Sequence, residues 1–378
     1  MKYSSFFLTL IISIYFIKAE DRNTLIHEFD RYIHQSISSA NIAGMGIAIL
    51  SNDSVIFSKG YGYSDIKTQT PFTTNTIMNI ASISKTFVGV SIMYLVEQKI
   101  VALDDDINIF LPFNVSNPFT PDSIITLRHL MSHTSSIKDN QDIYLPSYNY
   151  GDDSPTPLGD FLENYLSLNG DNFSKNNFTK SIPGKKFLYS NIGAGLAGYI
   201  VEQVSGKPLN IFTSEIIFSP LNMNNTCWFI SEMDRLMHSR LYESKDNHTT
   251  LDEVELYGLT TYPDGGLRTT INDLSNYLLC IINKGKHGDI KILEETTVDN
   301  MLRPDYIDSY ANFWGIGDEI GHGGGDPGVS TGMYYYPKDQ LGIIFFINTS
   351  SYRDFNNKEK RIFKFGKKLK NQLTNSSN

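Results

Sequence analysis

The chain has 378 residues, a formal net charge of −9 at pH 7 and two cysteines. The acidic balance argues against a nucleic acid as the main partner, and two cysteines do not make a disulfide scaffold. The sequence contains no metalloprotease, Walker-loop or dinucleotide-binding pattern, so no cofactor is expected.

The first residues have the pattern of a secretory signal peptide. Lys2 precedes an apolar run from Phe6 to Ile17, and Ala19 is a small residue at a plausible cleavage point. The run is short for a bilayer span, with an uncleaved anchor as the alternative. We therefore expect residues 1–19 to be removed, leaving a secreted or otherwise extracytoplasmic chain without stable membrane insertion. A glycoprotein is reasonable if the source is a eukaryote, because the chain has eight N-x-S/T sequons, at Asn52, Asn114, Asn172, Asn177, Asn224, Asn247, Asn348 and Asn375.

The apolar periodicity predicts strands near both ends of the chain and helices between them. The predicted helices cover 22–39, the run that begins at Ser82, 158–167, 192–205, 271–284 and 357–373. The predicted strands cover 43–50, 54–59, 313–320, 329–336 and 341–348, with a glycine-rich turn over 323–328 and a second turn over 337–340. The final helix is basic, and we expect it to pack on the sheet with a solvated face rather than contact a membrane.

This order of elements predicts one antiparallel sheet built from both halves of the chain. The sheet domain would comprise residues 20–105 and 261–378, and a mainly helical lobe, residues 106–260, would be inserted between them. A site at the boundary would draw residues from distant parts of the chain.

The first candidate site motif is S-x-x-K, which occurs at Ser64–Lys67, Ser82–Lys85 and Ser135–Lys138. Only Ser82 opens a long apolar helix-like run, where the two side chains would lie one turn apart on one face. The lysine amine could then activate the serine hydroxyl, and the free N–H groups of the helix start would stabilise a developing negative charge. The alternative is that Ser82 only caps a core helix.

The second motif is Y-x-N at Tyr189 and Asn191, just before a helix-like run. The phenol could shuttle protons if a nearby cation stabilises phenolate, and the asparagine could bind a substrate amide. The same spacing occurs at Tyr310 and Asn312, so a core tyrosine and a helix-capping asparagine remain the alternative.

The third motif is His322 followed by three glycines, including Gly324 and Gly325. Glycines allow a backbone to approach a ligand closely, and an exposed N–H there could bind an oxyanion. The alternative is a glycine-rich hairpin with an incidental histidine. His129 and His133 have the four-residue spacing of metal ligands on a helix, but no third ligand is evident and no metal is expected.

In this order, the three motifs resemble the penicillin-recognising serine hydrolases, the β-lactamase and DD-peptidase superfamily. The class C-like branch, with esterases, D-aminopeptidase-type enzymes and animal serine β-lactamase-like proteins, is the most similar. Three further stretches agree: Leu103–Asp106 resembles the family's "LDD", Ile125–Ser135 its "ITIRHLLTHTSG" and Pro263–Leu267 its "PAGGL". The resemblance implies an α/β (α+β) fold with a five-stranded antiparallel sheet flanked by helices and an inserted mainly helical lobe.

The resemblance also implies a role for each site residue. Ser82 would be the acylated nucleophile, Lys85 the base or proton relay, and Tyr189 a partner in proton transfer. Asn191 would orient the substrate amide and Lys85, and the N–H groups of Ser82 and Gly325 would form the oxyanion hole. Lys85 would have to lose its proton at the working pH, which favours a position that is buried or near another positive charge.

One position departs from the resemblance. His322 stands where many β-lactamases have a lysine that helps to hold a substrate carboxylate, and a histidine is mostly neutral at pH 7. We therefore expect an enzyme that depends less on a substrate carboxylate. The resulting prediction is a serine hydrolase acting on a small-molecule or peptide ester or amide, in the manner of a peptidase, esterase or β-lactamase. The alternative is an inactive homologue that serves as a binding or assembly protein.

Overall fold

The computed structural model describes residues 22–352 and 358–374. The predicted signal peptide and the sequon at Asn375 lie outside these residues. Within them, the α-helices are 22–39 (α1), Ser84–Glu97 (α2), Leu127–Met131 (α3), Gln141–Tyr144 (α4), Leu158–Leu166 (α5), Asn191–Ser205 (α6), Leu209–Thr213 (α7), Ile271–Ile282 (α8), Glu295–Met301 (α9) and Lys358–Thr374 (α10). The long predicted helices are confirmed to within two residues at each end.

The strands come mainly from the two ends of the described chain. They are Gly44–Ser51 (β1), Ser54–Asp65 (β2), Thr70–Pro71 (β3), Met78–Asn79 (β4), Tyr148–Tyr150 (β5), Leu241–Lys245 (β6), Thr250–Val254 (β7), Tyr257–Leu259 (β8), Arg268–Thr269 (β9), Lys286–His287 (β10), Ile290–Lys291 (β11), Tyr310–Ala311 (β12), Trp314–Ile316 (β13), Ile320–Asp326 (β14), Val329–Tyr336 (β15), Leu341–Ile347 (β16) and Thr349–Ser350 (β17).

The main sheet is antiparallel and has the strand order β12-β13-β14-β15-β16-β1-β2-β3. The early and late parts of the chain meet at its centre, where Met45 of β1 lies opposite Ile347 of β16. Five long strands, β14, β15, β16, β1 and β2, form the predicted five-stranded sheet, and three short edge strands widen it to eight. The prediction of one sheet built from both ends is confirmed.

The glycine-rich segment was assigned wrongly from the sequence. Residues 323–326 belong to strand β14, and the turn contains only Pro327 and Gly328, which has a φ of 72°. The predicted strand over 313–320 is likewise split between β13 and β14. A proline followed by a glycine at positive φ is sufficient for a tight turn. The glycines before it are therefore not needed to reverse the chain, and instead allow neighbouring backbone to come close to strand β14.

Helices cover both faces of the sheet. On one face, α1 and α10 pack together, with the rings of Phe29 and Phe365 stacked 3.8 Å apart. On the other face, α8 packs on β1 and β16, and its apolar cluster continues through α2 into α5 and α6. Strand β1 contributes side chains to the apolar clusters on both faces of the sheet. Ile47 and Ile49 belong to the cluster with α1 and α10, and Ala48 belongs to the cluster with α8. The result is a three-layer arrangement of helices, sheet and helices.

The remaining sequence expectations concern boundaries and surfaces. Ile362, Phe365 and Leu369 of α10 are buried, which confirms that this basic helix packs on the sheet. The cysteines Cys227 and Cys280 are both free. Among the described helices, none combines the length and apolar character needed to cross a membrane. The division into a sheet domain and a lobe of residues 106–260 remains a prediction.

Candidate active site

Ser82 lies in a short 3-10 turn, Ala81–Ile83, that leads directly into α2. The N-cap residue of α2 is Ile83, and no side-chain hydrogen bond caps this end of the helix. The Ser82 hydroxyl therefore does not act as a helix cap. Ala81 has a φ of 47°, a left-handed conformation that costs a non-glycine residue about 1–2 kcal/mol. The Thr331 hydroxyl donates to the Ile80 carbonyl at 2.9 Å, which ties the turn to strand β15. The serine is therefore presented on a strained, externally braced turn.

Lys85 is completely buried, and its amine meets three oxygen atoms. Nζ lies 3.1 Å from the Ser82 Oγ, 2.8 Å from the Asn191 Oδ1 and 2.6 Å from the main-chain oxygen of Asp264. The last two are carbonyl oxygens, which can only accept, whereas a hydroxyl can also donate. When the amine is neutral, the two carbonyls take its two N–H groups and its lone pair faces Ser82. This arrangement can remove the serine proton.

The start of α6 is held by Asp139, a residue that the sequence analysis did not single out. Its carboxylate accepts hydrogen bonds from the Ser190 hydroxyl at 2.8 Å, from the Asn191 N–H at 2.8 Å and from the Ile192 N–H at 3.0 Å. A carboxylate that binds the free N–H groups of a helix start is a stabilising cap. Asp139 thereby fixes the backbone from which Asn191 reaches Lys85.

Tyr189 lies against the lysine with its hydroxyl unused. The Lys85 Nζ lies 4.8 Å from the centroid of the Tyr189 ring. The ring packs on His133, with centroids 4.1 Å apart, and the Nδ1 of His133 accepts a hydrogen bond from the Ser190 N–H. Among the described residues, none hydrogen-bonds the buried Tyr189 hydroxyl. Buried hydroxyls normally have a partner, so this one is available to an atom of a bound substrate.

His322 is neutral and fully engaged. Its Nδ1 lies 2.6 Å from the Gly323 oxygen, which can only accept, so Nδ1 carries the hydrogen. Nε2 then accepts from the Tyr310 hydroxyl at 2.9 Å. Burial, and secondarily the charge of Lys85, lowers the pKa of His322 to about 4. The ring therefore carries no positive charge near pH 7. In the sequence, Tyr310 is only a second occurrence of the Y-x-N spacing of Tyr189. In the structure, its hydroxyl is the hydrogen-bond partner of the His322 ring.

Strand β14 packs closely on the nucleophile turn. A side chain at Gly324 would place its Cβ 2.4 Å from the Ile80 oxygen and 2.3 Å from the Thr331 Oγ1. A Cβ at Gly325 would meet no other atom within 4 Å. Strand β13 pairs with β14 only as far as Gly321, so the later residues of β14 have a partner on one side only. The glycines therefore bring an open strand edge next to Ser82.

A buried carboxyl group, that of Asp264, and a partly buried one, that of Asp326, lie near Lys85. Asp264 is 2 % exposed and accepts from the hydroxyls of Tyr144 and Thr261, and burial raises its pKa to about 7. Asp326 accepts from the Tyr148 hydroxyl at 2.8 Å, and burial raises its pKa to about 6. In the sequence, Asp264 stands out only as part of the PAGGL-like segment. Neither carboxyl has a sequence signal, because their burial depends on long-range packing.

The histidine pair at 129 and 133 does not share a helix. Helix α3 ends at Met131, and His133 has a φ of 53°, so the expectation of a common helical face is wrong. His129 takes part in the cap of α3, where its Nδ1 accepts from the Thr126 N–H. Over residues 22–352 and 358–374, no group of three or more metal-ligating side chains occurs.

The fold and this arrangement agree with comparisons to known proteins. A family model described as Beta-lactamase matches residues 29–367. The chain belongs to the Beta-lactamase family.

Two bacterial proteins are among the curated relatives of this Beta-lactamase family member. Protein flp of Staphylococcus aureus strain MRSA252 is 24 % identical over 330 residues, covering 86 % of this chain and 63 % of its own length. Penicillin-binding protein 4* of Bacillus subtilis strain 168 is 23 % identical over 312 residues, covering 78 % of this chain and 65 % of its own length. The chain thus spans slightly less than two thirds of the length of these relatives.

Solved structures of the family share the fold. The octameric penicillin-binding protein homologue from Pyrococcus abyssi superposes with a TM-score of 0.70 at 25 % identity, covering 86 % of this chain and 74 % of its own. The D-amino acid amidase of Ochrobactrum anthropi SV3 gives a TM-score of 0.71 at 20 % identity, covering 95 % of this chain and 100 % of its own. These similarities confirm the β-lactamase/transpeptidase-like architecture.

Proposed function

We propose that this protein hydrolyses an ester or amide through an acyl-enzyme formed on Ser82. The observation that carries the proposal is the environment of Lys85. Its buried amine has two obligatory acceptors, on Asn191 and Asp264, and one hydroxyl neighbour, Ser82. That geometry places the amine where it can take the proton of a serine nucleophile.

Acylation would proceed in two steps. The Ser82 Oγ attacks the substrate carbonyl carbon while its proton passes to Lys85, and the N–H groups of Ser82 and Gly325 stabilise the resulting oxyanion. The tetrahedral intermediate then collapses, the bond from the carbonyl carbon to the leaving oxygen or nitrogen breaks, and the leaving group takes a proton. We propose that the Tyr189 hydroxyl relays this proton from Lys85 to the leaving group, because the hydroxyl is buried and unpartnered and its ring lies against the lysine amine.

Deacylation would reverse the same proton path. A water molecule gives a proton to Tyr189 or Lys85 as its oxygen attacks the acyl carbon, and Ser82 regains a proton when the ester bond breaks. Asn191 holds the lysine throughout, with Asp139 fixing its backbone. The acid product leaves and the free serine is restored.

The state of His322 favours substrates without a free carboxylate. A neutral ring with both nitrogens engaged provides neither charge nor a free donor for such a group. Esters and amino-terminal D-residue amides or peptides therefore suit this site better than β-lactam acids. The D-amino acid amidase among the structural neighbours is in keeping with that preference.

A substrate screen tests the proposal. Purified protein would be assayed with p-nitrophenyl esters, D-amino-acid amides and a chromogenic cephalosporin. Turnover should be lost in Ser82→Ala and kept in Ser64→Ala, a matched control because Ser64 begins another S-x-x-K segment and lies on strand β2. No turnover of any substrate by the folded wild type would favour the alternative, a non-catalytic binding or assembly protein.

We also propose an extracytoplasmic location, supported by the signal-like pattern of residues 1–19. Amino-terminal sequencing of the protein exported by its own cells should begin close to residue 20. A retained residue 1 on the protein in the medium or cytosol would contradict this location.

A further inference from the structure

The strand that passes beside Ser82 ends in a carboxyl group, that of Asp326. Side chains two residues apart on a strand lie on the same face, so Asp326 shares the face of Gly324. That face is turned to the nucleophile turn, because a Cβ at Gly324 would lie 2.4 Å from the Ile80 oxygen. Asp326 also follows Gly325, whose N–H is assigned to the oxyanion hole. Its carboxyl group therefore lies beside the position proposed for the acyl part of a substrate.

A series of contacts connects Asp326 to Lys85. The Asp326 Oδ1 accepts a hydrogen bond from the Tyr148 hydroxyl at 2.8 Å. The Tyr148 ring packs on that of Tyr144, with centroids 5.8 Å apart, and the Tyr144 hydroxyl donates to Asp264 at 3.1 Å. The main-chain oxygen of Asp264 accepts from the Lys85 Nζ at 2.6 Å. Asp326 and Asp264 therefore belong to the same wall of the site.

The two carboxyl groups of this wall differ in their access to a ligand. Asp264 is 2 % exposed, and its two oxygens accept from Tyr144 and Thr261. Asp326 is partly exposed. Strand β13 pairs with β14 only at Ile320 and Gly321, so it does not cover the edge of β14 at Asp326. Asp326 can therefore accept a hydrogen bond from a bound molecule, whereas Asp264 is enclosed by the fold.

We propose that Asp326 binds a primary ammonium group on the acyl part of the substrate, so that the protein favours aminoacyl amides and esters. This inference rests on the proposed function, because it concerns the substrate of that reaction. An ammonium group only donates and a carboxylate only accepts, and hydrogen bonds between charged partners are stronger than neutral ones. Burial raises the pKa of Asp326 to about 6, which leaves the carboxyl mostly ionised at pH 7. An α-amino group is mostly protonated at that pH.

The aromatic rings beside Asp326 suit the same ligand. The ring centroids of Tyr148 and Tyr257 are 5.4 Å apart, and Tyr150 packs on both of these rings. The Tyr257 hydroxyl donates to the Pro327 oxygen at 3.1 Å, which holds its ring beside the turn that follows Asp326. Tyr150 is 53 % exposed. Because the faces of aromatic rings attract cations, a carboxylate next to these rings favours an amine over a neutral group.

The test compares p-nitroanilides that differ by one amino group, namely D- and L-alanyl p-nitroanilide and propionyl p-nitroanilide, at pH 7. In Asp326→Asn, kcat/KM for the better alanyl substrate should fall by about tenfold or more, while that for the propionyl substrate should stay within about threefold of wild type. The ratio of the two values cancels the intrinsic reactivity of the substrates. Asp273→Asn is the matched control, because Asp273 is a buried carboxyl of helix α8 that accepts from Asn225 and Thr226. Its ratio should equal that of wild type.

An alanyl-to-propionyl ratio that is unchanged in Asp326→Asn would overturn the inference, and so would an equal change in Asp273→Asn. If Asp326→Asn does not fold, Tyr148→Phe replaces it, because loss of the hydroxyl that orients the carboxylate should lower the same ratio. If neither anilide is hydrolysed, the ratio is measured as inhibition of p-nitrophenyl ester hydrolysis by alaninamide and by propionamide.

Labelling of Ser82 by a fluorophosphonate keeps the two proposals distinct. A labelled enzyme with an unchanged ratio rejects only the role of Asp326. A folded wild type that is not labelled and hydrolyses no ester or amide rejects the proposed function.

Discussion

The contact between strand β14 and the nucleophile turn can be perturbed by one methyl group. Gly324→Ala would place a Cβ 2.4 Å from the Ile80 oxygen and 2.3 Å from the Thr331 Oγ1. Gly325→Ala, one position later on the same strand, adds the same group where nothing lies within 4 Å. Neither glycine has a positive φ, so backbone strain does not complicate the comparison.

The size of the effect follows from the overlap at Gly324. Reaching an ordinary contact of 3.4 Å from 2.4 Å requires the turn and the strand to separate by 1.0 Å. A misplacement of about 1 Å in a catalytic constellation costs about 10²-fold in rate, and overpacking costs about 1–3 kcal/mol in stability. We therefore expect Gly324→Ala to lower kcat/KM by about 10²-fold and to unfold at a lower temperature.

The assay is steady-state hydrolysis of the best ester from the screen, with thermal unfolding measured on the same samples. Gly325→Ala should unfold at about the wild-type temperature, because nothing in the fold lies within 4 Å of its added methyl group. Full activity in Gly324→Ala would refute the close approach of β14 to Ser82. An equal loss of thermal stability in both variants would also refute it, because only the methyl group at Gly324 meets other atoms of the fold.

Two further predictions concern charge. His322→Lys should increase the preference for a carboxylate-bearing substrate over its methyl ester by about tenfold or more, because a charged hydrogen bond contributes about 1.5–3 kcal/mol. A competition assay between the two substrates measures this preference. An unchanged ratio would contradict the idea that His322 sets it. The contribution of Asp264 to stability should fall as the pH rises from about 4 to about 7, because over this range its carboxyl is protonated in the folded protein and ionised in the unfolded chain. The lowered pKa of His322 acts in the opposite direction, since stability is lost as the pH falls from about 6.5 to about 4 and the imidazole of the unfolded chain takes up a proton. Chemical denaturation should therefore show that wild type loses more stability than Asp264→Asn between pH 4 and 7 and that the two curves run parallel above pH 7; an equal pH dependence from pH 4 to 7 would contradict the buried titration.

The sequence predicts those features of the site that depend on short-range spacing. Ser82 and Lys85 are three residues apart at a helix start, so their contact follows from helical geometry. Residue spacing alone does not predict the contact between Asn191 and Lys85, which are 106 residues apart. That contact was predicted from the order of the motifs and the resemblance to a family. Helices α8 and α10 were predictable because their apolar period is regular, and α2 and strand β16 because they are nearly continuous apolar runs.

Other parts of the site depend on tertiary packing. Asp139 binds the start of α6 across 52 residues, and a polar residue between motifs gives no periodic signal. Glycines 323–325 were placed in a turn because glycine marks both turns and close backbone approach, and only the packing on Ile80 distinguishes the two. Tyr310 looked like a rival motif because its partner, His322, is known only once β12, β13 and β14 are paired.

The central claim is that Ser82 is a nucleophile activated by Lys85. The most direct measurement is peptide-level mass spectrometry after reaction with a fluorophosphonate, on wild type, Ser82→Ala and Ser64→Ala. We expect one adduct, on Ser82, in wild type and in Ser64→Ala, and none in Ser82→Ala. An adduct on another residue, or no adduct on folded wild-type protein that also turns over no ester or amide, would contradict the claim.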